Sequence, residues 1–134
     1  MKIFDKPISE YFNHLKIFLA LVLVIAISQV FLAVSNVQLA PFDTLIAFSK
    51  FIVVFAAGFH IARYNFTYMQ AAFSGFLIYL PTIWLQPVFS VMYSAGMDAN
   101  YLLGITLVAI VGDFILCSIV ALVGLFVGQA IAKK

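Results

Sequence analysis

Four long apolar segments dominate the sequence, at residues 17–34, 44–62, 66–86 and 101–132. Each comes close to or exceeds the roughly 20 residues that a helix needs to cross a hydrocarbon core of about 30 Å. Hydrophobic residues make up 66% of the 134-residue chain, far above their share in water-soluble domains. Because lipid offers backbone groups no hydrogen-bond partner, apolar segments of this length are expected to be helices. The sequence therefore predicts an all-α membrane bundle of four transmembrane helices in a single domain, residues 1–134.

The charged residues outside these segments separate across the predicted membrane. All the basic ones fall on one side, and the two loops on the other side carry only Asp43 and Asp98. Since Lys and Arg are enriched in cytoplasmic loops, the basic side is predicted to be cytoplasmic, with both termini there, in a plasma (inner) membrane. A net charge of +2 is too small to suggest nucleic acid as a partner. The basic residues are Lys2, Lys6, Lys16, Arg63, Lys133 and Lys134.

The N-terminal residues 1–16 are expected to form a separate cytoplasmic segment. Asp5 and Pro7 resemble an N-cap followed by an early helical proline. Apolar residues follow them at helical spacing, which predicts a short helix lying in the membrane interface before the first span.

The third segment is expected to be irregular because it contains two prolines. Pro81 and Pro87 each lack a backbone N–H. Their positions predict a kink near Leu77 and a break around Gln86, followed by a short segment on the outer face.

Two opposite charges lie inside the apolar segments, Lys50 in the second and Asp113 in the fourth. An unpaired charge in hydrocarbon costs at least about 2.5–3.5 kcal/mol on insertion scales, so both are expected to face inward and pair. Counting the rise per residue places other polar side chains at the same level of the outer half. The predicted polar cluster is Lys50, Asp113, Gln29, Tyr79 and Thr82. Three interpretations are open: a structural pair, a proton or cation path through Asp113, and Lys50 reaching the outer headgroups without meeting Asp113.

Small residues form a stripe on the fourth helix, whose inner half contains the GLFVG sequence with Gly124 and Gly128. Such glycines allow two helix backbones to approach closely. One interpretation is packing within the chain against the second helix, which contains Gly58. The alternative is a face for self-association.

No sequence motif for a catalytic, nucleotide or metal site is present. Ser74 and His60 could form a nucleophile and base pair on neighbouring helices, and His14 and His60 could ligate a haem. Both readings are weaker than ordinary packing and hydration. Cys117 is the only cysteine, so the chain cannot form an internal disulfide. The sequence predicts no enzyme, no cofactor and no metal site.

The predicted loops leave almost no chain outside the membrane in which to build a catalytic or ligand-binding domain. We therefore expect an accessory, stabilising or protective subunit of a membrane assembly. The alternative is a small oligomeric transporter or channel for protons, cations or a small solute, using Asp113 and Lys50. The expected partners are the lipid bilayer and other membrane subunits or further copies of this chain.

Overall fold

The computed structural model is almost entirely helical, as the sequence predicts. It describes residues 2–34, 42–84, 87–88 and 98–133. Within these ranges the long helices are α1 (Ile8–Val34), α2 (Phe42–Ile61), α3 (Tyr68–Tyr79) and α4 (Ala99–Ala132). In the described part of the chain two helices, α1 and α4, are long and apolar enough to cross a membrane. That all four apolar segments cross the membrane stays a prediction.

A small β-hairpin precedes α1, where the sequence analysis expected a helical N-cap and a separate interfacial helix. Strands β1 (Lys2–Ile3) and β2 (Lys6–Pro7) pair antiparallel. Phe4 and Asp5 connect them with positive φ angles of 51° and 70°, as two-residue hairpin turns require. The N-cap role of Asp5 is therefore wrong. The separate interfacial helix is also wrong, because α1 starts at Ile8 and continues unbroken through the predicted boundary at residue 17.

The hairpin is held against the helices by hydrogen bonds to its backbone carbonyls. The Tyr11 hydroxyl on α1 donates to the Ile3 carbonyl at 2.9 Å, and Gln70 Nε2 on α3 donates to the Phe4 carbonyl at 2.7 Å. Neither hydrogen bond joins two residues that the periodicity of a helix or a strand would place together. For this reason hydrophobic periodicity did not reveal the hairpin.

The connection from α2 to α3 is a tight turn. A 3-10 turn (Ala62–Tyr64) leads into Asn65, which adopts a left-handed conformation with φ of 57°. The Thr67 side chain accepts from the Gln70 backbone N–H, and the Gln70 side chain accepts from the Thr67 backbone N–H. This capping box satisfies two of the unpaired N–H groups that every helix start exposes. It fixes where α3 begins.

Helix α3 ends earlier than the predicted third span. It has 12 residues, about 18 Å of length, and gives way at Leu80 to a 3-10 turn (Leu80–Thr82). Pro81 accounts for this end, since it cannot donate to the carbonyl four residues earlier. The change from α-helix to 3-10 turn lies at Leu80, three residues after the predicted kink near Leu77. The predicted break at Gln86 falls outside the described residues.

Helix α4 packs along both α2 and α3, and α1 packs on the other side of the same two helices. The buried core runs between them and is apolar apart from a few polar side chains. The outward faces are apolar as well: only 17% of the apolar window of α1 and 22% of that of α4 is buried. Soluble proteins rarely leave apolar surface of this extent in water. An apolar exterior around an apolar core suits a bilayer as solvent.

Candidate functional site

The predicted contact between Lys50 on α2 and Asp113 on α4 is present. Lys50 Nζ lies 3.1 Å from Asp113 Oδ2, and the two side chains are 16% and 17% exposed. At this distance the ammonium donates a charge-assisted hydrogen bond to the carboxylate. The structure therefore brings together the two opposite charges of the apolar segments.

The parallel register of α2 and α4 positions this pair. Lys50 and Asp113 are 63 positions apart in the sequence. Gly58 and Ala121 are separated by the same number of positions, and they are in contact further along the same two helices. Eight residues span about 12 Å along a helix and return to nearly the same face. The ion pair and the glycine contact thus belong to one interface between two parallel helices.

Two aromatic rings flank the Lys50 ammonium. Its Nζ lies 5.1 Å from the centre of the Phe51 ring and 5.7 Å from that of the Tyr79 ring. Both distances are within the range at which a cation is attracted to an aromatic ring. Tyr79 itself is held by an edge contact with Phe114, with ring centres 4.5 Å apart. The ammonium therefore occupies a position that favours a positive charge on several sides.

The Tyr79 hydroxyl is buried without a well-formed hydrogen bond in the described part of the chain. The residue is only 2% exposed, and none of the described residues meets full hydrogen-bond geometry with the hydroxyl oxygen. Asp113 lies close enough to interact with the hydroxyl electrostatically and as a hydrogen-bond acceptor, although the geometry is poorer than that of a regular hydrogen bond. Such a group is costly in an apolar interior. Its position beside a carboxylate and an ammonium makes it the most unusual polar atom of the described core.

Two members of the predicted cluster do not join it. The Thr82 hydroxyl donates instead to the Tyr79 carbonyl at 2.8 Å. That carbonyl lacks its usual α-helical donor, because the Ile83 N–H bonds to the Leu80 carbonyl in the 3-10 turn. Gln29 is half-buried on α1, and within the described residues no hydrogen bond connects it to Lys50 or Asp113. Neither side chain is hydrogen-bonded to Lys50 or Asp113 in the contacts seen among the described residues.

The glycines of α4 contact α2 within the same chain. A Cβ atom built on Gly124 would overlap the Phe55 carbonyl oxygen, and one on Gly128 would lie 2.7 Å from the Ala62 Cβ. On the other helix, a Cβ on Gly58 would overlap the Ala121 carbonyl oxygen. The GLFVG face is therefore used for packing inside the bundle. The alternative of a self-association face is wrong for these glycines.

Gly75 on α3 makes a matching contact that the sequence analysis missed. A Cβ there would overlap the carbonyl oxygen of Cys117 and lie 3.0 Å from the Ala121 Cβ. Ala71 and Gly75 are four residues apart, which is the small-residue spacing typical of close helix pairs. That spacing was the signal available in the sequence.

The structure gives no contact between Ser74 and His60, but it does place His14 beside His60. Ser74 donates its hydroxyl to the Gln70 carbonyl at 2.8 Å, so it is not paired with His60. The His60 ring lies against His14 and Tyr64, with ring centres 6.3 and 5.3 Å away. Among the described residues, no group of three or more His, Cys, Asp or Glu side chains could hold a metal ion.

No family model, curated protein or solved structure matches this chain. The fold and the ion-pair site therefore carry the functional argument alone. They define an all-helical protein with at least two helices able to span a membrane.

Proposed function

We propose that this protein is a non-catalytic integral membrane subunit that stabilises or protects a membrane assembly. In this proposal all four segments cross the plasma (inner) membrane and both termini lie in the cytoplasm. The exposed faces of α1 and α4 are largely apolar, so a partner would be met within the bilayer. An accessory subunit needs only a stable shape that other helices can pack against.

The close packing below the ion pair is the observation that supports this role most. Between Lys50 and the inner end, α2 and α4 meet through backbone contacts at Gly58 and Gly124. The side chains buried there on the two helices are apolar or a thiol: Val54, Ala57, Ile61, Cys117, Ala121 and Leu125. Ion conduction requires water or polar groups along a path. This apolar packing within one copy of the chain favours a non-conducting role over the alternative of transport through Lys50 and Asp113.

Mass measurement after gentle extraction tests the accessory role. The protein, expressed at native level with a C-terminal tag, would be solubilised in a mild detergent and weighed as an intact complex. We expect one or more different membrane proteins to remain bound at defined stoichiometry. A complex that contains only copies of this chain would contradict the accessory role and favour the oligomeric transporter.

Reporter fusions test the proposed membrane orientation. A reporter joined after Lys134 and one inserted at the exposed turn residue Asn65 should both be active only in the cytoplasm. A third insertion beside Asp98 should be active only outside and serves as the opposite control. A cytoplasmic signal at Asp98, or an external one at Asn65, would overturn the four-span topology.

A further inference from the structure

Two histidine side chains from different helices meet at the end of α2 that leads toward α3. His14 on α1 and His60 on α2 have ring centres 6.3 Å apart, with 54° between the ring planes. Both residues are half-buried, so an ion from solution can reach them while the surrounding chain keeps most water away. They are the two histidines of the sequence. Neither the Lys50–Asp113 pair nor the proposed accessory role uses them.

The ring nitrogens of this pair are available to a ligand. Within the described residues, neither imidazole takes part in a hydrogen bond, and the contacts of both are with other rings. His14 lies 4.0 Å from the centre of the Tyr64 ring, and His60 lies 5.6 Å from that of the Phe18 ring. These contacts hold the rings in place and leave unused the nitrogen lone pair that each neutral imidazole carries.

The spacing of the two rings is that of two imidazoles on one metal ion. A metal–nitrogen bond of about 2.0–2.1 Å puts the ion about 3.2 Å from each ring centre. Two such rings have centres about 5.2 Å apart in tetrahedral geometry and about 6.4 Å apart in linear geometry. The observed 6.3 Å lies within this range. The angle between the planes is no obstacle, because each ring can turn about its bond to the metal.

The donor set selects the kind of ion. Imidazole nitrogen suits Cu, Ni and Zn, whereas Mg²⁺ and Ca²⁺ require oxygen ligands. No third His, Cys, Asp or Glu side chain of the described residues completes a metal-binding group, so water supplies the remaining ligands. A haem fits less well, because the Tyr64 ring contacts both imidazoles, at 4.0 and 5.3 Å. It occupies space that a porphyrin between them would need.

We propose that His14 and His60 form a binding site for a transition-metal ion of the Cu²⁺, Ni²⁺ and Zn²⁺ class, which bridges α1 to α2. The sequence analysis expected no metal site, since two histidines so far apart in the chain form no motif. A site with water ligands exchanges its ion with the solution, unlike a closed structural site. The bridge fastens α1, whose apolar window is only 17% buried, to the rest of the bundle. It does not depend on the proposed accessory role.

Thermal unfolding of the tag-free protein in detergent tests the site. After treatment with a chelator and its removal, NiCl₂, ZnCl₂ or MgCl₂ would be added at constant ionic strength. Ni²⁺ and Zn²⁺ should raise the melting temperature and saturate, because an ion that binds the folded state stabilises it. Mg²⁺ should not. His14→Gln and His60→Gln should each raise the half-saturating Ni²⁺ concentration at least about tenfold, the smaller loss seen when only a supporting residue of a metal site is removed.

The two single variants and the double variant together distinguish a bridge from separate binding. A bridging ion needs both rings, so each single variant should respond to Ni²⁺ as weakly as the double variant. Asn13→Gln changes an exposed polar residue beside His14 and should respond like the wild type. A single variant that keeps the wild-type response, or a wild-type response to Mg²⁺ equal to that to Ni²⁺, would overturn the proposal.

Electron paramagnetic resonance of the wild type covers the case in which a histidine variant does not fold. With an equimolar amount of Cu²⁺, the spectrum should show coordination by two imidazole nitrogens. Coordination by one imidazole, or by none, would show that the two histidines only pack against each other.

Discussion

Lys50→Met and Asp113→Asn should each destabilise the folded bundle strongly, and the double substitution should recover most of the loss. Each single change leaves one charge in an apolar interior without its partner, which for a fully buried pair costs about 3–5 kcal/mol. The two side chains retain 16% and 17% exposure, so the expected loss lies toward the lower end of that range. The measurement is the free energy of unfolding of the purified protein in detergent.

The double-mutant cycle isolates the contact itself. If the pair forms as the structure shows, the two losses are far from additive. Lys6→Met and Glu10→Gln provide the matched cycle for a second ion pair, in which Lys6 Nζ lies 2.6 Å from Glu10 Oε1 and the two side chains are 18% and 35% exposed. That cycle should show a coupling of about 0.2–1 kcal/mol at most. Additive losses at Lys50 and Asp113 would mean that the two charges do not meet in the membrane-embedded protein.

Gly58→Ala and Gly124→Ala should reduce the yield of folded protein severely. In each case the added methyl group would overlap a backbone carbonyl oxygen of the facing helix. A flexible side chain could move aside, but a helix backbone can yield only if the two helices separate. Overpacking of a core costs about 1–3 kcal/mol and occasionally more, and a clash with backbone belongs at the upper end. The measurements are monodisperse yield in detergent and melting temperature.

Gly104→Ala and Gly112→Ala are the controls for this prediction on the same helix. Among the described residues, no atom outside the neighbouring turns of α4 lies within 4 Å of a Cβ built at either position. Alanine is favoured over glycine in a helix by about 1 kcal/mol, so both variants should match or exceed the wild type in stability. Equal losses at Gly104 and Gly124 would show that α4 requires its glycines for a reason other than contact with α2.

Local sequence pattern was sufficient for the helices and for the main pair. The length and apolar character of the segments predicted helices because an unpaired backbone group in lipid is too costly. The same reasoning identified Lys50 and Asp113 as partners, since two buried opposite charges on a short chain have few other solutions. Gly124, Gly128 and Gly58 were also identified from their spacing and size.

The remaining features depended on tertiary structure. The N-terminal hairpin is held by side chains that include Tyr11 and Gln70, and such long-range hydrogen bonds leave no periodic trace. The sequence analysis assigned Thr82 to the ion pair, but its hydroxyl donates to the Tyr79 carbonyl at the end of α3. The sequence alone determined which segments would be apolar helices and which charges would need partners, because those costs depend on residue type. Three-dimensional packing decided which face of each helix contacts which neighbour. It therefore also decided that the glycines contact a helix of the same chain. The sequence could not decide this, because the same small-residue spacing suits a contact within one chain and a contact between two chains.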